Sequence, residues 1–119
     1  MTQERFNIEQ AQGQMRKGLL EYCILLTIAR QEEAYTSDIL QELKLDNLLI
    51  VEGTLYPLLS RLKTEELLDY SWQESKSGPP RKYYRLTLKG KKVLASLTET
   101  WESLSSSINS LYKKYEKNN

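Results

Sequence analysis

The sequence predicts a mainly α-helical chain with one small β-hairpin and a long C-terminal helix. Apolar residues recur at helical spacing in three separate stretches before residue 63. Two runs rich in β-formers, around Asp69–Glu74 and Arg81–Thr87, flank the turn-forming Ser75-Lys-Ser-Gly-Pro-Pro80. From Leu94 to Tyr115 a further stripe recurs at steps of three and four.

The first helix is expected over residues 7 to 31, with Asn7 as its cap. Leu20, Cys23, Ile24, Thr27 and Ile28 form its apolar stripe, and Met15, Leu19 and Leu26 widen it. Gly13 and Gly18 weaken its first half by about 1 kcal/mol each, and Gly18 is a candidate for close packing. Gln31 to Tyr35 breaks the pattern and reads as a short loop. Thr36 or Ser37 then caps a second helix, with Ile39, Leu40 and Leu43 inward. Lys44 to Val51 is too apolar for a free connection, so Leu45, Leu48, Leu49 and Ile50 should pack down.

The third helix is Gly53-Thr-Leu-Tyr-Pro-Leu-Leu-Ser-Arg-Leu-Lys63. Leu55, Leu58, Leu59 and Leu62 share one face, while Thr54, Tyr56, Ser60, Arg61 and Lys63 make a hydrogen-bonding face opposite. Pro57 falls at or just past the first turn, where a missing backbone donor costs little. Alone, the segment reads as an ordinary surface helix. Behind two other helices it becomes the third member of a helix-turn-helix, and the following hairpin becomes a wing. Residues 1–86 are therefore expected to form a winged helix-turn-helix domain. Thr87 caps the last helix, which runs to about Lys114 within a C-terminal segment of residues 87–119.

Charge separates along the chain. The net charge is only +1, yet Ser75 to Thr98 carries Lys76, Arg81, Lys82, Arg85, Lys89, Lys91 and Lys92 with no Asp or Glu. A basic hairpin beside a polar helix is the electrostatic footprint of duplex binding. Leu94, Leu97, Trp101, Leu104, Ile108, Leu111 and Tyr115 repeat in a heptad pattern. A small domain has nothing left to cover the distal part of such a helix, so a homodimer through Leu97, Trp101, Leu104, Ile108, Leu111 and Tyr115 is expected.

Other functions find little support. The chain has no histidine, one cysteine, no glycine-rich phosphate loop and no nucleophile elbow. Neither an enzyme, a metal site nor a cofactor is expected. Cys23 lies in an apolar run and reads as a core residue, consistent with a reducing cytoplasm. That run is too short to span a membrane, and the polar Met-Thr-Gln-Glu-Arg-Phe start lacks a signal peptide's apolar region.

Two motifs carry a family resemblance. Glu52-Gly-Thr-Leu-Tyr-Pro-Leu-Leu-Ser-Arg-Leu62 resembles the third-helix motif of the PadR family of bacterial transcriptional regulators. Gly78-Pro-Pro-Arg-Lys-Tyr-Tyr-Arg-Leu-Thr-Leu-Lys-Gly90 is similar to that family's wing, second strand and start of the last helix. Tyr35 aligns with the tyrosine before the second helix, and Gly18-Leu19 with the first. The single short C-terminal helix is similar to the family's small subgroup. Thr36 and Glu66 stand where glycines are usual, and Glu66 denies the third helix a favoured left-handed cap residue.

The resemblance implies a dimeric repressor on a pseudo-palindromic operator in the bacterial cytoplasm, at the nucleoid. Some members of the family release DNA when a small aromatic or lipophilic effector binds, which makes Trp101 a candidate effector-site residue, with plain interface packing as the other reading. Gly53, Thr54, Tyr56, Pro57, Ser60 and Arg61 would face the major groove, with Ser60 or Arg61 on a base edge and Tyr56 on a phosphate. Lys17 and Lys63 would hold phosphates at the rim, and Lys76, Ser77, Gly78, Arg81 and Lys82 would set the wing along the backbone or in the minor groove. Two other readings stand beside this one. Winged helices also serve as protein–protein interaction modules, and a small-molecule binder with a degenerate DNA face is a third option that the basic wing disfavours.

Overall fold

The computed structural model describes residues 5–48 and 50–118. Helix α1 spans Ile8–Gln31, strand β1 Ala34–Tyr35, helix α2 Thr36–Leu45, helix α3 Glu52–Thr64, strand β2 Leu68–Ser75, strand β3 Gly78–Leu86 and helix α4 Leu88–Lys117. This is the mainly helical winged helix-turn-helix with a long last helix that the sequence predicts. Among the described residues no helix is long and apolar enough to cross a membrane.

Asn7 caps α1 by accepting the Gln10 N–H at 3.0 Å. Ile24, Leu25, Thr27 and Ile28 are buried, and Leu20 and Cys23 pack at the edge of the same core. Met15, Leu19 and Leu26 stay exposed, so the buried stripe is narrower than expected. Gly18 is exposed and a Cβ there would touch nothing, so within this chain it is not a packing site. Thr27 satisfies its buried hydroxyl by donating to the Cys23 carbonyl at 2.9 Å.

Two corrections follow α1. The expected loop contains β1, whose Ala34 and Tyr35 pair with Tyr84 and Tyr83 of β3. Because Tyr35 is held extended in that pairing, α2 begins at Thr36 and Tyr35 takes the cap position. Neither Thr36 nor Ser37 is the cap. Thr36 is buried as the first helical residue, and the Asp38 carboxylate accepts the Tyr35 N–H at 3.2 Å. In the connection to α3, Leu48 and Ile50 pack against the core while Leu45 is exposed. The expectation for Leu49 lies outside the described residues.

Helices α2 and α3 end alike. Leu48 N–H reaches the Leu43 carbonyl at 2.7 Å and Asn47 N–H the Lys44 carbonyl at 3.0 Å. Leu67 N–H reaches the Leu62 carbonyl at 3.0 Å and Glu66 N–H the Lys63 carbonyl at 2.9 Å. Both are Schellman turns, which need a left-handed residue at the position after the cap. Asn47 supplies it at φ 63° and Glu66 at φ 65°. The missing glycine at 66 therefore leaves the turn intact, with a glutamate in a conformation that costs an L-residue about 1–2 kcal/mol.

The sheet order is β1-β3-β2, fully antiparallel. The hairpin is longer than the sequence suggests. Ser75 pairs with Gly78, so Lys76 and Ser77 alone form its tip, and Pro79 and Pro80 lie within β3. They fall where the register shifts between Gln73 and Ser75, at an irregularity that does not need their missing donors.

Helix α4 is capped by Thr87, whose hydroxyl accepts the Gly90 N–H at 2.9 Å and donates to the Glu66 carbonyl at 2.6 Å. Thr87 N–H donates to the Leu67 carbonyl at 3.1 Å. Gly90 is buried there, and a Cβ on it would lie 2.1 Å from the Leu67 carbonyl oxygen. Leu94 and Leu97 pack on the core, while Leu104, Ile108, Leu111 and Tyr115 stand away from it, each at least half exposed.

Two substitutions test this joint. Gly90→Ala pushes a methyl into backbone and should lower stability by about 3 kcal/mol or more, read as a drop in the urea midpoint. Glu66→Gly relieves the left-handed strain at the cost of a more flexible unfolded chain. It should raise stability by about 0.5–1 kcal/mol on the same titration.

Candidate nucleic-acid interface

Helix α3 presents four sides with different neighbours. Leu55, Leu59 and Leu62 are buried in the core. Gly53, Pro57, Ser60 and Thr64 recur at steps of four, three and four on the opposite side, all exposed. Thr54, Leu58 and Arg61 form the flank toward α1. Thr54, Pro57 and Leu58 line a hollow of about 680 Å³ with Gly13, Arg16, Lys17, Leu19, Leu20 and Cys23 of α1 and with Leu48 and Ile50. Arg61 pairs with Glu21 of α1. Tyr56 and Lys63 form the remaining flank, toward the hairpin. The Lys63 ammonium stands 5.7 Å from the Tyr70 ring centre. Burial, with the Tyr56 and Tyr70 phenols nearby, pushes the Tyr84 hydroxyl up.

Successive residues of a strand point to opposite faces, and the hairpin shows the consequence. On the face that continues the core, Tyr70 meets Tyr84 at 5.8 Å between centroids and Trp72 edge-on at 6.3 Å. Lys82 lies on this face, 4.4 Å from the Tyr70 ring centre and 5.2 Å from Trp72. Arg81 lies on the outer face, 4.8 Å from the ring centre of Tyr35, which itself stacks on Tyr83 at 5.8 Å. Lys76, Ser77 and Gly78 are exposed at the tip.

The structure thus brings together Lys63 and Lys82, along one side that also carries Tyr56 and the exposed Ser60 side of α3. It separates Arg81 from Lys82. It also turns Thr54 and Arg61 toward α1, where Arg61 already has an anionic partner. Lys17 is exposed on the rim of the hollow, beside Arg16 and near the start of α3. Cys23 lines the floor of that hollow, and burial pushes its thiol up, away from the reactive thiolate. Sequence reasoning missed Tyr70 and Trp72 as parts of this surface. Their alternation was visible, but only the register Trp72↔Lys82 and Tyr70↔Tyr84 shows that both rings lie beside Lys82. Trp101 is 40% exposed on α4, one heptad step beyond the core contacts of Leu94 and Leu97.

Comparison with known proteins places this arrangement. Residues 24–96 match the model of the transcriptional regulator PadR-like family. A PadR-like transcription factor structure from Bacteroides fragilis is 54% identical, with a TM-score of 0.72 over 86% of this chain and 98% of that one. A PadR family transcriptional regulator from Eggerthella lenta is 32% identical, with a TM-score of 0.77 over 87% and 90% of the two chains. A PadR-like transcriptional regulator from Bacillus cereus is 39% identical, with a TM-score of 0.74 over 82% and 95%. An uncharacterized protein of Lysinibacillus sphaericus is 32% identical over 81 residues, 66% of this chain and 74% of that one.

Proposed function

Because the chain belongs to the PadR-like family of transcriptional regulators, we propose that it is a dimeric repressor that reads a pseudo-palindromic operator. The observation that carries this reading is the shared side of α3 and the wing, where Lys63 and Lys82 both stand over Tyr70, with Tyr56 on the same flank of α3 as Lys63 and Ser60 exposed on the adjoining side. A winged domain of residues 1–86 inserts α3 into the major groove. Ser60 or Arg61 reads a base edge: Ser60 stands on the exposed side with Gly53 and Pro57, and Arg61, on the flank, would exchange its exposed pair with Glu21 for the base. Tyr56, Lys63 and Lys17 meet phosphates, and Lys76, Ser77, Gly78 and Lys82 set the wing. Such a regulator works at the nucleoid, in the bacterial cytoplasm.

The segment 87–119 is the dimerisation element in this reading. Leu104, Ile108, Leu111 and Tyr115 are each at least half exposed, in a heptad line with the partly buried Leu97 and with Trp101. A second copy covers that line and sets the separation of the two α3 helices, about 34 Å for successive major grooves. A small aromatic or lipophilic effector at Trp101 would act by changing that separation.

A mobility-shift series on the inverted repeat upstream of the gene, at rising salt, tests the DNA reading. Arg81→Ala with Lys82→Ala should weaken binding to every duplex and flatten the salt slope by about one to two units, with Lys82→Ala alone giving most of the change. An unchanged slope removes the wing from the backbone. Equal, weak binding to all sequences favours the protein-interaction module instead. Trp101→Ala should either dissociate the dimer in sedimentation velocity or abolish quenching by aromatic ligands. If both properties survive, Trp101 has no part in the mechanism.

A further inference from the structure

We infer that Tyr70 and Trp72 form, with Lys63 and Lys82, a seat for the sugar–phosphate backbone of one DNA strand between α3 and the wing. The inference rests on the DNA-binding reading above. It adds two aromatic residues of β2, Tyr70 and Trp72, to the contacts of the reading helix and the hairpin tip.

Lys63 arrives from α3 and Lys82 from β3, yet both ammonium groups lie over the Tyr70 ring, at 5.7 and 4.4 Å from its centre. Lys82 also faces Trp72 at 5.2 Å. Among the described residues neither lysine has a carboxylate within ion-pair distance. Two cations beside one tyrosine ring, neither with a carboxylate partner, leave the arrangement poised to gain an anion.

Tyr84 is buried and Tyr70 half-buried, whereas Trp72, next along the same face, is 62% exposed. The ring is nevertheless positioned, edge-on to Tyr70 and beneath Lys82, with an interplanar angle of 87°. An indole offers an apolar face and one N–H donor with no acceptor. Deoxyribose offers apolar edges and the phosphate offers only acceptors. The two sets of groups are complementary along a nucleic-acid backbone, and the lysines supply the charge.

If α3 enters a major groove and the wing follows the adjacent minor groove, the two elements straddle a single backbone, because one strand separates the two grooves. The surface between α3 and the core-side face of the hairpin is the surface that meets it. Tyr70, Trp72, Lys63 and Lys82 are that surface.

The test uses the full chain, a duplex carrying the upstream inverted repeat, and the variants Trp72→Ala and Trp72→Phe. Trp72→Ala should weaken binding about tenfold and Trp72→Phe about threefold, with the thermal midpoint close to that of the unaltered protein. The chain has only two tryptophans, so the emission of the unaltered protein less that of Trp72→Phe reports Trp72, and this difference should shift to the blue as the duplex saturates. Binding by Trp72→Ala within about twofold of the unaltered protein overturns the seat. Should Trp72→Ala not fold, the Phe variant decides by the same criterion, and an emission unmoved by bound duplex also overturns it. If the unaltered protein binds no duplex, the regulator reading falls and the seat with it. If it binds and only the Trp72 effects are missing, the seat alone falls.

Discussion

Burial of Leu55, Leu59 and Leu62 is the interaction on which the rest of the molecule depends. Helix α3 has only thirteen residues and carries a glycine and a proline in its first half. A helix that short does not hold itself together in water. Gly53 costs about 1 kcal/mol relative to alanine; Pro57, expected at the edge of the first turn, is the sixth residue of a helix that starts at Glu52, so it denies the Gly53 carbonyl a helical donor and costs up to about 3 kcal/mol. Each fully buried leucine contributes about 1.5–3 kcal/mol, so three of them outweigh those costs. Leu62 has a second task, since its carbonyl anchors the turn that ends the helix. The outward side of α3 is thereby free to carry polar residues that add nothing to stability.

What could be read from the chain and what could not divide along physical lines. The helices were legible because their apolar residues repeat locally, and the caps at Asn7 and Thr87 because a single side chain announces them. β1 was not, since a two-residue strand is defined by its partners Tyr83 and Tyr84, some fifty residues away. The same distance hid the true cap of α2, which follows from Tyr35 being held in that strand. Pro79 and Pro80 suggested a turn, and only the irregular register of the hairpin lets them sit in a strand. Gly90 looked like an ordinary motif residue. Its necessity comes from a carbonyl on another element, and no local pattern encodes that.

The candidate site was legible as a set of residues but not as a surface. Alternation along one helix separates exposed from buried positions; it does not say what stands on either flank. The packing of α1 does, and it takes Thr54 and Arg61 to one side and engages Arg61 with Glu21. Adjacent basic residues in a strand likewise look equivalent in a sequence. Arg81 and Lys82 are placed on opposite faces by the pleat, Arg81 over Tyr35 and Lys82 over Tyr70 and Trp72. Charge counted along the chain is therefore a poor guide to charge available on one face.

The joint between Gly90 and Leu67 has a mechanical consequence. It leaves no room for a side chain, and Thr87 ties the start of α4 to the turn that ends α3 through Glu66 and Leu67. A close backbone contact with crossed hydrogen bonds behaves as a stiff hinge with little play. Helix α4 has 30 residues, which makes it about 45 Å long. A rotation of about 5° at such a hinge carries the far end of the rod by about 4 Å. Conversely, a displacement of a few ångströms at the far end is only a small change of angle at the near end, where Leu94, Leu97 and the Tyr22–Thr98 hydrogen bond hold the helix against the core and α1.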